Sequence, residues 1–108
     1  MLTELSLHIL LAVGEGAAHG YAIGQDIEQR SGGRLDPTTG ALYQALKRLA
    51  RDGLVRQVQP PKGTEADARR KYFALTAEGR RGVASEIRRL DGLVELARKR
   101  RLYTARVR

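Results

Sequence analysis

The chain has 108 residues, 42% of them hydrophobic and 30% charged, and its 20 lysines and arginines against 12 acids give a formal net charge of +8. That size and balance suit one soluble domain with a modest core, and no apolar run approaches the roughly 18 residues that span a bilayer. With no cysteine, disulfides and cysteine-ligated zinc are excluded; a cytoplasmic location is expected, since the first charge is Glu4 and no basic export signal precedes it.

The charge is unevenly spread. Residues 1–33 carry one cation (Arg30) and four acids (Glu4, Glu15, Asp26, Glu28), a net of −3, while residues 34–108 hold nineteen cations and eight acids, a net of +11. Such asymmetry points to a polyanionic partner, most simply nucleic acid. A membrane surface fits less well, because no basic helix here has a broad aromatic-rich apolar face.

Residues 3–13 read as a short helix with Thr3 placed to cap it and Glu4 suited to the positive end of its dipole. Leu5, Ile9, Ala12 and Val13 form one face, and Leu7, Leu10 and Leu11 widen it, so the helix should be nearly enclosed, in part by a second subunit. Gly14 and Gly16 break it. A second helix is expected from about Gly20 to Ser31, with Tyr21, Ile23, Gly24 and Ile27 facing inward and Gly32-Gly33 ending it. His19 precedes this helix with no carboxylate or nucleophile patterned around it, which favours a capping or structural role over a catalytic one. His8 is read the same way.

Residues 36–55 organise the rest. Asp36 is placed to accept from the first free backbone N–H groups, Pro37 fits the first helical position, and Gly53 suits the left-handed residue that ends a helix. Leu42, Ala45, Leu46 and Leu49 recur at helical spacing as one apolar stripe. Gly40, Gln44, Lys47 and Arg51 lie opposite, flanked by Tyr43 and Arg48. A helix entering a DNA groove needs that division, although ordinary surface helices are charged outward too. With the second helix and its glycine-containing connection it makes the pattern of a helix-turn-helix.

After Gly53 the period shortens. Leu54–Val58 and Lys71–Leu75 are β-prone runs, the second with Phe73 and Leu75 on one face. Gln59 to Arg70 between them forms the long tip of a hairpin, the wing of a winged helix, with cations at Lys62, Arg69, Arg70 and Lys71; a plain solvated loop would look similar. Thr76 then caps a last helix from Ala77 to about Arg100. Val83, Ile87, Leu90, Val94 and Ala97 follow coiled-coil seam spacing, and Leu93 and Leu96 widen the seam. At about 24 residues this helix would be about 36 Å long, more than a small core can cover, so the surplus stripe should bury against another chain. Residues 98–108, with six cations and no acid, read as a frayed tail that touches phosphate or merely solubilises. The expected architecture is mainly α with a small β-hairpin (α+β). Residues 1–76 form a winged helix-turn-helix, and residues 77–108 form a dimerisation helix with a basic tail.

Several segments now share a likeness. His19-Gly20-Tyr21, Gly40-Ala41-Leu42-Tyr43 running into Leu46-Lys47-Arg48-Leu49, Asp52-Gly53-Leu54-Val55, and Arg70-Lys71-Tyr72-Phe73-Ala74-Leu75-Thr76-Ala77-Glu78-Gly79 resemble the PadR family of bacterial transcriptional regulators. The likeness spans about residues 5 to 80, with the motifs in the family's order. It implies a winged helix-turn-helix homodimer that binds operator DNA, usually as a repressor, and it implies a phosphate contact for Tyr43. Ala41 stands where the family usually has a threonine, and Thr38 or Thr39 would supply that hydroxyl instead. The chain lacks the tryptophan on which some short members stack flat ligands.

The expectation is therefore a sequence-specific DNA-binding regulator rather than an enzyme, since no paired-carboxylate, nucleophile or phosphate-cradling pattern appears. No cofactor or metal is expected. Gln44 and Lys47 would read base edges, while Arg48, Arg51 and the wing cations would position the chain on phosphate. The expected partners are double-stranded DNA and a second copy of the chain. Any small-molecule effector would bind between the terminal helices and the first helix. The rival reading is a winged-helix interaction module whose basic face grips an acidic protein.

Overall fold

Side chains open each α-helix among the described residues, and the caps mark where each begins. A computed structural model describes residues 2–62 and 70–104. In it, the Thr3 hydroxyl accepts from the Ser6 N–H at 3.1 Å and starts α1, Glu4–Ala12. A short 3-10 turn, Val13–Glu15, follows. His19 Nδ1 accepts from the Ala22 N–H and starts α2, Gly20–Arg30. Thr38 caps α3, Thr39–Arg51, by accepting from the Ala41 N–H at 3.1 Å. Thr76 accepts from the Gly79 N–H at 2.9 Å and starts α4, Ala77–Lys99.

Two expectations about these helices are corrected. The third helix does not begin at Asp36-Pro37, because the Thr38 hydroxyl takes the capping bond and leaves both residues in the connection before it. Tyr21 does not face inward: it is 62% exposed, while Ile23 and Ile27 on the same helix are fully buried. Gly53 ends α3 as expected, at φ +79°. The Gly53 N–H reaches the Ala50 carbonyl and the Leu54 N–H reaches the Leu49 carbonyl, which is the paired closure of a left-handed cap. The same closure, with Arg101 at φ +61°, ends α4: the Leu102 N–H bonds the Ala97 carbonyl and the Arg101 N–H bonds the Arg98 carbonyl. Residues 98–102 thus close the helix, and residues 105–108 of the basic tail lie outside the described residues.

The hairpin is present and is joined by a third strand that the sequence did not announce. The strands are β1, Ala18–His19; β2, Val55–Val58; and β3, Tyr72–Leu75, in the order β1-β3-β2 and all antiparallel. Val55 pairs with Leu75 and Val58 with Tyr72, while His19 pairs with Tyr72 from the other side. Being central, β3 buries both Tyr72 and Phe73, which a two-stranded ribbon with alternating faces would not do. The core lies between α1, α2, α3 and the sheet: Ile9, Leu10, Val13, Ile23, Ile27, Leu42, Ala45, Leu46, Leu49, Val55 and Phe73.

Only the start of α4 belongs to that core. Gly79 packs so tightly that an added Cβ would overlap the Leu54 carbonyl, and Val83 leans on the core cluster. Glu86 is buried and receives a two-point bond from Arg89, with Nη2 to Oε2 at 2.7 Å; that hydrogen bond first, and the guanidinium charge with it, hold the Glu86 carboxyl below its usual range. Farther along, Ile87 is 44% and Leu93 52% exposed, with Val94 and Leu96 also bare. Overall extents of 52 × 27 × 27 Å fit a small domain with one helix reaching past it. Among the described residues, no helix is long and apolar enough to cross a membrane.

Candidate nucleic-acid interface

Burying one side of α3 fixes what its other side offers. With Leu42, Ala45, Leu46 and Leu49 in the core, Gly40, Tyr43, Gln44, Lys47, Arg48 and Arg51 are all exposed. Gln44, Lys47, Arg48 and Arg51 line one shallow hollow. Arg51 makes a long contact to Asp52, Nε to Oδ1 at 3.4 Å, but Lys47 and Arg48 have no ion pair among the described residues. An anion can therefore approach Lys47 and Arg48 without breaking an ion pair among the described residues. The face combines one amide, able to donate and accept, with three cationic side chains.

The leading end of α3 is equally open. Thr38 uses its oxygen as an acceptor for the cap, which leaves its O–H free to donate outward. Thr39 is exposed, and the Thr39 and Gly40 amides have no partner among the described residues. A Cβ built on Gly40 would meet nothing within 4 Å. The fold itself does not require glycine there, and the position leaves the start of the helix flat. Gly20 is the opposite case, since a Cβ on it would overlap the Tyr43 ring. Tyr43 thus lies across the start of α2, and its hydroxyl has no hydrogen-bond partner among the described residues, with the residue 39% exposed.

The wing cations divide. Lys62 and Lys71 are exposed. Arg69 lies outside the described residues. Arg70 does not project freely but folds back over His19 and Tyr21. Arg56, exposed on β2, was missed by the sequence reading, although its place beside inward Val55 marks it as outward-facing. His19 caps α2 as the sequence suggested, but its meeting with Arg70 was not foreseen. Burial first, and the Arg70 charge second, push the His19 pKa below its ordinary value. His8 is structural as well: Arg30 lies 3.0 Å from its Nδ1 and donates to its carbonyl at 3.1 Å. Among the described residues no group of three or more His, Asp or Glu is placed to hold a metal.

Two helices at a short turn, a three-stranded wing and a long trailing helix define a winged helix-turn-helix protein. The chain belongs to the PadR-like family of transcriptional regulators, whose family model matches residues 9–85. A structure of a PadR family transcription regulator from Clostridium difficile superposes with a TM-score of 0.74 at 21% identity, covering 90% of this chain and 97% of that one. Bacillus subtilis PadR in complex with operator DNA superposes with a TM-score of 0.65 at 22% identity, over 79% of this chain and 47% of that one. An uncharacterized 37.1 kDa protein in transposon TN4556 of Streptomyces fradiae is 43% identical over 94 residues, 84% of this chain. This chain spans only a quarter of the length of that relative.

Proposed function

We propose that the chain is a sequence-specific DNA-binding transcriptional repressor that works as a homodimer on a pseudo-palindromic operator. The observation that carries this reading is the outer face of α3, an amide and three cations on a helix whose other side is locked into the core. Each subunit lays residues 38–51 into a major groove. Gln44 and Lys47 address base edges. The α3 N-terminus, Gly40 and Tyr43 meet phosphate, and Arg48, Arg51, Lys62, Arg69, Arg70 and Lys71 supply positioning and salt-dependent affinity.

Family membership and the operator-bound Bacillus relative support DNA as the ligand. The bare stripe of Ile87, Leu93 and Val94, with half-buried Leu90 and Ala97 beside it, supports pairing through α4; Val83 contributes at the edge, where its own core leaves it partly open. Pairing about a two-fold axis sets the half-sites about one helical turn apart, or a multiple of it. A dimer seated on a promoter excludes other proteins from it, which is repression. A small-molecule effector acts on this protein only by favouring one spacing of the two α3 helices over another.

A salt titration tests the reading. Binding to a duplex carrying an inverted repeat from upstream of the gene is compared with binding to a scrambled duplex. The expected result is a preference of at least about 10³-fold at moderate salt, with both affinities falling steeply as salt rises. Equal binding to the two duplexes refutes sequence-specific regulation and favours a docking module for an acidic protein.

A further inference from the structure

One polar cluster lies outside the α3 face. At the start of α2, Arg70 Nη1 is 3.1 Å from both ring nitrogens of His19. An atom equally close to both cannot lie in the ring plane at that range without overlapping the carbon between them, so the guanidinium sits over the imidazole face. The same guanidinium lies 5.5 Å from the centroid of the Tyr21 ring. The His19 and Tyr21 rings are within 15° of parallel, 6.4 Å apart. Arg70 rests on both, as a cation does on aromatic faces.

This platform requires a neutral imidazole. Nδ1 accepts the cap bond from the Ala22 N–H at 3.1 Å, so the ring proton belongs on Nε2. Arg70 and Tyr72 face the ring from the wing, Tyr72 meeting it edge-on at 5.2 Å. Tyr21 faces it from α2, and from α3 Tyr43 reaches the adjoining Gly20. No carboxylate among the described residues pairs with the ring. Protonation would therefore remove the cap acceptor and set two like charges face to face.

We propose that His19 is a positioning residue for DNA binding: its neutral ring, fastened to α2, holds Arg70 at the root of the wing where the guanidinium meets the DNA backbone. This rests on the DNA-binding reading above. It joins the helix-turn-helix to the wing through one side-chain stack. Because the folded state disfavours the protonated ring, the stabilisation is complete above the ordinary histidine pKa of about 6.5 and is lost as pH falls through the lower folded value.

The test compares the full-length wild-type chain with His19→Asn, Arg70→Ala and the double variant. Asparagine keeps a capping oxygen but has no ring and does not titrate. At about pH 7.5, His19→Asn should bind the inverted-repeat duplex about three- to tenfold more weakly, matching Arg70→Ala, and both should lower the salt slope by about one. The double variant should be no worse than either single one. As pH falls through the lowered His19 pKa, the wild type should lose affinity relative to His19→Asn. Additive losses, or parallel pH profiles, overturn the proposal. A DNA-free arm separates it from the reading it rests on: in an NMR titration, Arg70→Ala should raise the His19 pKa. An unchanged pKa overturns the stack itself, even if the chain binds DNA. If the pKa rises but wild type binds no duplex at any pH, the DNA-binding reading fails and takes this role of His19 with it.

Discussion

α3 and α4 are both amphipathic helices opened by a threonine, and their apolar stripes meet different fates. In α3 the 13 residues match the reach of the core, and Leu42, Ala45, Leu46 and Leu49 are all buried. In α4 the first two turns are consumed by Gly79 and Val83, and the rest of a 23-residue helix carries Ile87, Leu93 and Val94 into the open. The pattern of residues states that a stripe is to be buried. Length against the size of the core decides whether the same chain can do it.

Core and stripe should respond differently to truncation. Leu46 is almost fully buried, so Leu46→Ala should cost about 2–5 kcal/mol in urea unfolding. Leu93→Ala should leave the stability of the separated subunit within about 0.5 kcal/mol. Comparable losses at the two sites would erase the distinction between the helices. Leu93→Glu sharpens it further: self-association should weaken by about 100-fold or more, read by sedimentation, with the circular dichroism spectrum unchanged. An unaltered association constant would show that α4 is not the pairing surface.

On the outer face of α3 the effects should be smaller and selective. Gln44→Ala or Lys47→Ala should cost about 1–3 kcal/mol on the preferred duplex and relax preference at one base position, while Arg48→Ala weakens all duplexes alike. Uniform losses for the first two would remove them as base readers. The smallest contrast is at the helix start. Thr38→Ala should cost about 1 kcal/mol, whereas Asp36→Ala should fall within about 0.5 kcal/mol, since Thr38 makes the cap. The reverse order in thermal unfolding would restore the cap to Asp36.

The helices and the hairpin were legible because each is written locally, as spacing, a cap and a terminating glycine. The start of α3 is ambiguous in the sequence because Asp36, Thr38 and Thr39 are all competent caps by type, and the folded chain gives the bond to Thr38. β1 was invisible at two residues: nothing in Ala18-His19 distinguishes a strand from the approach to a helix until β3 comes alongside. Tyr21 reads as apolar by type, yet its ring serves Arg70 at the surface. The meeting of His19 with Arg70 spans 51 positions, and no local pattern reports a contact of that range. By contrast, the outer face of α3 could be drawn in advance because its inner face was certain.

The most direct test of two paired α3 helices on one operator is the mass of the complex by sedimentation equilibrium, on a duplex holding a single inverted repeat. The account predicts two chains per duplex, with half a repeat failing to recruit the pair at the same concentration. A stable complex of one chain per duplex, or equal loading on the half repeat, would contradict it.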